Sequence, residues 1–293
     1  MCAAYTYQAV TRHAITQYVP DSDKARWGLT MEVSVNGIRL HHVQAGNRIP
    51  LLLIHGYPLD HALWQPQVDG LADIARVIAP DLRGSGQSDA PEGAYTMETY
   101  ADDLRALLDT LQTKRAEVCG LSMGGYIALA FWRKYADRVR GLILVDTRAG
   151  ADAPAARQAR LDMVEQVRQH GSAPAVDAML SRVLAESTRQ SRPDLVESVH
   201  AMMLRQRSTG IIGAQLGMAE RPDSTATLPT ITVPTLVVFG AGDVITPAET
   251  EGRSLADAIP GAKLVVIPNA GHLSNLEQPE AFNAAVREFV VQL

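Results

Sequence analysis

The chain has 293 residues, 46% of them hydrophobic and 20% charged, and a formal net charge of −5. That balance suits a globular enzyme and excludes a nucleic-acid partner, which calls for a basic surface. No apolar run approaches the ~18 residues that span a bilayer, so no membrane span is expected. The start, Met1-Cys2-Ala3-Ala4-Tyr5, lacks a basic region followed by an apolar segment. The two cysteines, Cys2 and Cys119, have no metal-binding spacing. A reducing cytoplasm is the expected compartment.

Residues 1–28 carry no clear periodicity, and Asp21-Ser22-Asp23-Lys24 is a polar break. They are expected to form an N-terminal extension outside the main domain. From there, residues 31–35 alternate as a strand does, and Asn36-Gly37 supplies a hairpin turn because both residues tolerate positive φ. Residues 38–43 return as the second strand. His41 and His42 are adjacent on it, so they point to opposite faces and read as structural.

Ile49-Pro50-Leu51-Leu52-Leu53-Ile54 is continuously apolar, the mark of a strand buried on both faces. It ends in His55-Gly56-Tyr57-Pro58. A second buried strand covers 76–80 and ends at Asp81. The stretch Leu82-Arg83-Gly84-Ser85-Gly86 holds a superficial Gly-x-Gly. It lacks the third glycine and the strand-loop-helix setting of a dinucleotide site, and is expected to pack near Ser122 instead. Residues 96–108 have helical spacing, with Thr96 or Thr99 as N-cap.

Next comes Val118-Cys119-Gly120-Leu121-Ser122-Met123-Gly124-Gly125-Tyr126. A short apolar strand before it and an apolar helix after it frame Gly-x-Ser-x-Gly, the pattern of a nucleophile elbow. There the serine sits at the apex of a sharp strand-to-helix turn, and small neighbours two positions either side keep the turn free of collisions. Residues 141–146 form another buried strand. Apolar strands alternating with helices imply an α/β fold with a mainly parallel sheet and helices on both faces.

At Thr147 the texture changes. Residues 147–227 show helix candidates near 154–169, 174–185, 193–206 and 209–219, and five of the nine methionines. An all-helical insertion between sheet strands reads as a cap or lid, so the core is expected to comprise 29–146 and 228–293. Strands resume at 234–239, before Gly240-Ala241-Gly242-Asp243, and at 263–268, before Asn269-Ala270-Gly271-His272. A closing helix runs from Pro279 to about Val291.

A serine hydroxyl is a weak nucleophile and needs a base, here a histidine oriented by a carboxylate. Ser122, Asp243 and His272 each follow a buried strand, so all three open onto one rim of the sheet. Asp146 also follows a strand and competes with Asp243 for the acid. His55, His61, His170 and His200 compete with His272 for the base. An oxyanion would need two preset donors, one of them the N–H of Met123 at the start of the helix.

Taken together, His55-Gly56-x-Pro58, Asp81-x-Arg83-Gly84-x-Gly86-x-Ser88, Gly120-x-Ser122-x-Gly124, Gly240-x-x-Asp243 and Gly271-His272 resemble the α/β-hydrolase superfamily. The closest kind is the cofactor-free, lidded serine esterase or lactonase, either 3-oxoadipate enol-lactonase-like or carboxylesterase-like. The resemblance runs from about residue 30 to the C-terminus. It implies a Ser122-His272-Asp243 triad, a second oxyanion donor at the N–H of Tyr57, and support of that loop by His55 and Gly56. It implies no metal and no organic cofactor, and a small-molecule ester or lactone as substrate. Ser122 disfavours the epoxide and halide chemistry of relatives that carry aspartate there. Acyl transfer to peroxide or an alcohol, carbon–carbon bond hydrolysis, and slow-turnover ligand reception remain alternatives with the same residues. Acyl-chain length and oligomeric state are not legible.

Overall fold

The computed structural model describes residues 29–292. The expected extension over 1–28 lies outside the described residues. Eight strands form one sheet in the order β1-β2-β4-β3-β5-β6-β7-β8. They are β1 (Leu29–Val35), β2 (Ile38–Ala45), β3 (Ile49–Ile54), β4 (Ala75–Pro80), β5 (Ala116–Leu121), β6 (Val139–Val145), β7 (Thr235–Gly240) and β8 (Lys263–Ile267). The β1–β2 hairpin turns at Asn36 and Gly37, both at positive φ, and pairs antiparallel to β4. From β4 to β8 every pairing is parallel.

The strand order reverses beside β3, which has β4 on one side and β5 on the other. In open α/β sheets that reversal leaves a crevice outside the carboxyl ends of the strands, where ligands bind. The central strands are fully buried over most of their length, which is why they read as unbroken apolar runs.

Between the strands lie α1 (Gln65–Leu71), α2 (Met97–Thr110) and α3 (Met123–Tyr135). Thr96 caps α2 by accepting the N–H of Thr99 at 3.0 Å. Ten consecutive residues of α3, from Met123 to Trp132, are buried. This is the helix laid under the sheet centre, so its sequence is apolar all round.

Five helices connect β6 to β7: α4 (Pro154–His170), α5 (Ala173–Val183), α6 (Glu186–Ser191), α7 (Pro193–Leu204) and α8 (Ser208–Ala219). They form a layer over the rim of the sheet. A Cβ on Gly210 of α8 would lie 1.8 Å from the Gly84 carbonyl oxygen, so the helix and the 82–88 loop touch backbone to backbone. Just before α8, Arg205 forks onto Asp60 with two bonds of 2.6 Å. Gln206 adds a third bond to Asp60 at 2.8 Å and accepts the Gly86 N–H at 3.0 Å. Met202, Met203 and Met218 are buried between helices, while Met163 and Met179 pack against the same clusters. The chain closes with α9 (Arg253–Ala258), α10 (Ser274–Glu277) and α11 (Pro279–Val291). Among the described residues no helix is long and apolar enough to cross a membrane.

Glu117 stands out in the core. It lies on β5 with a fully buried side chain, and neither carboxyl oxygen has a hydrogen-bond partner among the described residues. Arg140 Nε is 3.7 Å away. Burial raises its pKa from 4.5 to about 7, against the pull of Arg140. A raised folded pKa means the folded state holds the proton longer than the unfolded chain. Stability is therefore full below pH ~4.5 and falls as pH rises through ~7. Glu117→Gln should raise stability by about 1–3 kcal/mol at pH 8 and change it little at pH 4.5, as read by denaturant unfolding at the two pH values.

Candidate active site

Ser122 sits between β5 and α3 with φ 56° and ψ −115°. That is a left-handed conformation that a side chain rarely adopts, and it costs on the order of 1–3 kcal/mol. The surroundings hold it there. Ser122 N–H donates to Val145 O at 2.9 Å, and the Ser122 carbonyl accepts Thr147 Oγ1 at 2.7 Å. The flanking glycines are needed for space. A Cβ on Gly120 would lie 2.1 Å from Gly124 O, and one on Gly124 would lie 2.2 Å from Ile54 O. The side chain of Ser122 is half-buried at the rim.

The loop after β3 reaches the same place. A Cβ on Gly56 would approach Ser122 Cβ to 3.2 Å, closer than a neighbouring side chain usually stands. His55 fixes this loop from below. Its Nδ1 donates to Gly56 O at 2.9 Å and its Nε2 accepts Leu82 N–H at 3.0 Å. Those partners define one neutral tautomer, and burial lowers the pKa of the ring. His55 is thus fully engaged in tying the β3 and β4 loops together. Tyr57 and Met123 line one narrow crevice with Gly84, Ser85, Gly210 and Ile211. Met123 opens α3, where the first N–H groups of a helix have no partner within the helix. The Tyr57 hydroxyl is buried without a partner among the described residues, and burial raises its pKa.

Asp243 follows β7 and His272 follows β8. Both are buried, at 4% and 1% exposure. Asp243 Oδ2 accepts His272 Nδ1–H at 2.8 Å and Thr246 Oγ1 at 2.5 Å. Its Oδ1 accepts the N–H groups of Ile245 and Thr246 at 2.8 and 3.1 Å. Burial alone would raise this carboxyl. The charge and hydrogen bond of His272, with the Thr246 and Ile245 donors, hold it below the usual carboxylate range. With Nδ1 committed to Asp243, His272 presents Nε2, which is buried and has no hydrogen-bond partner among the described residues. No hydrogen bond joins it to Ser122 in this structure; such links are commonly long without substrate. A lone imidazole nitrogen backed by a carboxylate is a base able to take a proton.

Asp146 lies elsewhere in the same network. Its Oδ1 accepts Gly240 N–H at 2.8 Å and its Oδ2 accepts Ser274 Oγ at 2.6 Å. Burial, and then the neighbouring charge of Asp243, push its pKa well above the carboxylate range. Of the two acids, the one held low is the one on the histidine. Of the competing histidines, His55 and His61 are bound to other partners, His170 is exposed at the end of α4, and His200 is on α7.

Three contributors carried no sequence signal. A Cβ on Gly125 would lie 2.3 Å from Thr147 Oγ1, so this second glycine and that threonine lock the turn jointly. Thr246 is one of the donors on Asp243. Glu277 accepts Gly271 N–H at 2.7 Å and Ala185 N–H at 2.9 Å, tying the His272 loop to the helical layer.

Residues 49–279 match the family model described as alpha/beta hydrolase fold. The chain belongs to this family. It is 32% identical over 240 residues to 3-oxoadipate enol-lactonase 2 of Acinetobacter baylyi, covering 82% of this chain and 88% of that protein. Among solved structures, the malate-bound thermophilic esterase from Thermogutta terrifontis is 44% identical, with TM-score 0.87 over 90% of this chain and 99% of that one. The enol-lactonase from Burkholderia xenovorans LB400 is 32% identical, with TM-score 0.83 over 89% and 99%. The chain is therefore an alpha/beta hydrolase whose relatives include lactonases and esterases.

The glycine spacing around Ser122 is testable directly. Gly124→Ala places a methyl against the Ile54 backbone, which cannot yield as a flexible side chain would. Thermal unfolding should show a loss of several degrees or failure to fold, whereas Gly37→Ala, with nothing within 4 Å, should cost only the ~1 kcal/mol of its positive φ.

Proposed function

We propose that the chain is a serine hydrolase of carboxylic esters or lactones, with Ser122 as nucleophile, His272 as general base and acid, and Asp243 as the group that orients His272. The observation that carries this reading is His272. Its Nδ1–H is held by an ionised Asp243, and its Nε2 is left free on the rim onto which Ser122 opens. The kinship with lactonases and esterases supports ester or lactone as the bond cleaved.

In this reading Ser122 Oγ attacks the substrate carbonyl as His272 Nε2 takes its proton. The carbonyl oxygen becomes an anion that accepts hydrogen bonds from the N–H groups of Tyr57 and Met123. Collapse expels the alkoxide, which takes the proton back from His272 and leaves as an alcohol. Water then attacks the acyl-serine by the same route and releases the acid. The helices between β6 and β7 act as the lid. Ile211 on α8 lines the crevice with Tyr57 and Met123, so the lid contributes to its walls.

The test is hydrolysis of p-nitrophenyl esters from acetate to laurate, and of simple lactones. Activity on the ester or lactone cleaved should fall on the order of 10⁴-fold or more in Ser122→Ala. Asp243→Asn should lose roughly 10²–10⁴-fold in kcat, because the tautomer of His272 is then wrong. Asp146→Asn should stay within about tenfold, since that carboxyl bonds Gly240 and Ser274 and not His272. Full activity in Ser122→Ala would contradict the proposal.

A further inference from the structure

Three segments of chain meet below the rim, away from Ser122. His41 comes from β2, His61 from the turn after Asp60, and Asp81 from the end of β4. His61 Nδ1 is 2.7 Å from Asp81 Oδ1, and His41 Nδ1 is 3.0 Å from Asp81 Oδ2. One ligand atom from each of the three lies within 4.8 Å of the others, and the two imidazole rings are 4.9 Å apart. Asp81 is fully buried and His41 is 1% exposed.

His41 makes this more than a hydrogen-bonded cluster. Among the described residues neither of its ring nitrogens has a hydrogen-bond partner, although the residue is buried. Its Nδ1 is close to a carboxylate oxygen, yet the N–H direction misses that oxygen. Leaving such a group unpaired is destabilising. A cation shared through Nδ1 accounts for a nitrogen that stands beside the carboxylate without bonding to it. Two ligands each ~2.1 Å from one ion at the tetrahedral angle are about 3.4 Å from each other, so the present 3.0 and 2.7 Å separations would open by a few tenths of an ångström as the ion enters. The lone pair of the nitrogen then points at the ion, roughly 35° away from the neighbouring oxygen.

We propose that His41, His61 and Asp81 form a site for a divalent transition-metal cation, with Zn²⁺ as the fitting occupant. Two imidazole nitrogens and a carboxylate suit Zn²⁺ and Co²⁺ better than Ca²⁺ or Mg²⁺, which prefer oxygen-only shells. His61 is the entry side, because its side chain keeps 15% exposure while the other two are closed off. It would release its hydrogen bond to Asp81 Oδ1, and the Nδ1 proton, as the ion arrives. Asp81 would keep the N–H groups of His61 and Gln87, both at 2.8 Å, as the donors that orient its carboxylate.

The ion would not touch the reacting atoms. It would pin β2 to the two loops that flank Ser122, one carrying Gly56 and Tyr57 and the other carrying Leu82, whose N–H is held by His55. The site is a clamp beneath the crevice and stands whether or not the hydrolase reading holds. It also changes the reading of His41, which the sequence alone presents as a structural residue.

The experiment uses the full chain without an affinity tag, stripped with EDTA and titrated with Co²⁺, then Zn²⁺. Visible absorption and thermal unfolding are the readouts. The expected result is one equivalent of Co²⁺ per chain with ligand-field bands, displacement of those bands by Zn²⁺, and a rise in Tm with metal concentration. His61→Ala, at the partly exposed position, should keep its circular-dichroism spectrum and bind Co²⁺ at least tenfold more weakly. His41→Leu should do the same. Should His41→Leu fail to fold, His61→Ala decides. Folded wild-type protein with no bands and no Tm shift would overturn the proposal. So would undiminished bands in either folded variant.

Discussion

Ser122 can occupy its turn only because two backbones approach it more closely than any Cβ would allow. The close contacts of Gly120 with Gly124 and of Gly124 with Ile54 bring β3, β5 and α3 together at one point. That point is beside the reversal in strand order, where the sheet leaves a crevice at its carboxyl edge. The strained φ of Ser122 is maintained by β6 through Val145 and Thr147. Three parallel strands are thus committed to one serine. Strain of this kind persists only where the surrounding structure over-determines it.

Around that turn, buried carboxyl groups are kept in different states by different means. Asp243 stays ionised because three donors and a histidine face it. Asp146, with fewer donors and Asp243 as neighbour, is pushed toward its protonated form. Glu277 serves as a clip, accepting N–H groups from the His272 loop and from the helical layer. Asp60 serves as a second clip through Arg205 and Gln206. The helical layer is therefore fastened at two points, Ala185 and Arg205, by buried carboxyl groups and not by apolar packing alone. Any widening of the crevice has to work against those ties.

Local signals made much of this legible in the sequence. Ile49–Ile54 and Pro279–Val291 have the bounds their apolar patterns indicate, and the remaining strands differ by a few residues at their ends. The nearness of Asp243 to His272 follows from both residues ending parallel strands that prove to be neighbours. Other features had no local signal. α1 contains Pro66 and Gly70, both poor helix formers, and is held by burial of Val68 and Leu71 against the core. α6 and α9 are six residues each, too short for a periodic pattern. The Arg205–Asp60 fork and the Glu277 clip join residues 145 and 92 positions apart. Pairing at that range depends on the packed fold. The choice between Asp146 and Asp243 likewise rests on hydrogen-bond donors that only the folded chain assembles.

The central claim is that Ser122 is made nucleophilic by His272. Covalent labelling with a fluorophosphonate, followed by mass spectrometry of the intact chain and of its peptides, tests it without knowledge of the natural substrate. A single adduct on Ser122, formed rapidly in the wild type and roughly 10³-fold more slowly in folded His272→Ala, is the predicted result. An unlabelled wild-type chain, an adduct on another residue, or equal labelling rates in the two proteins would contradict it.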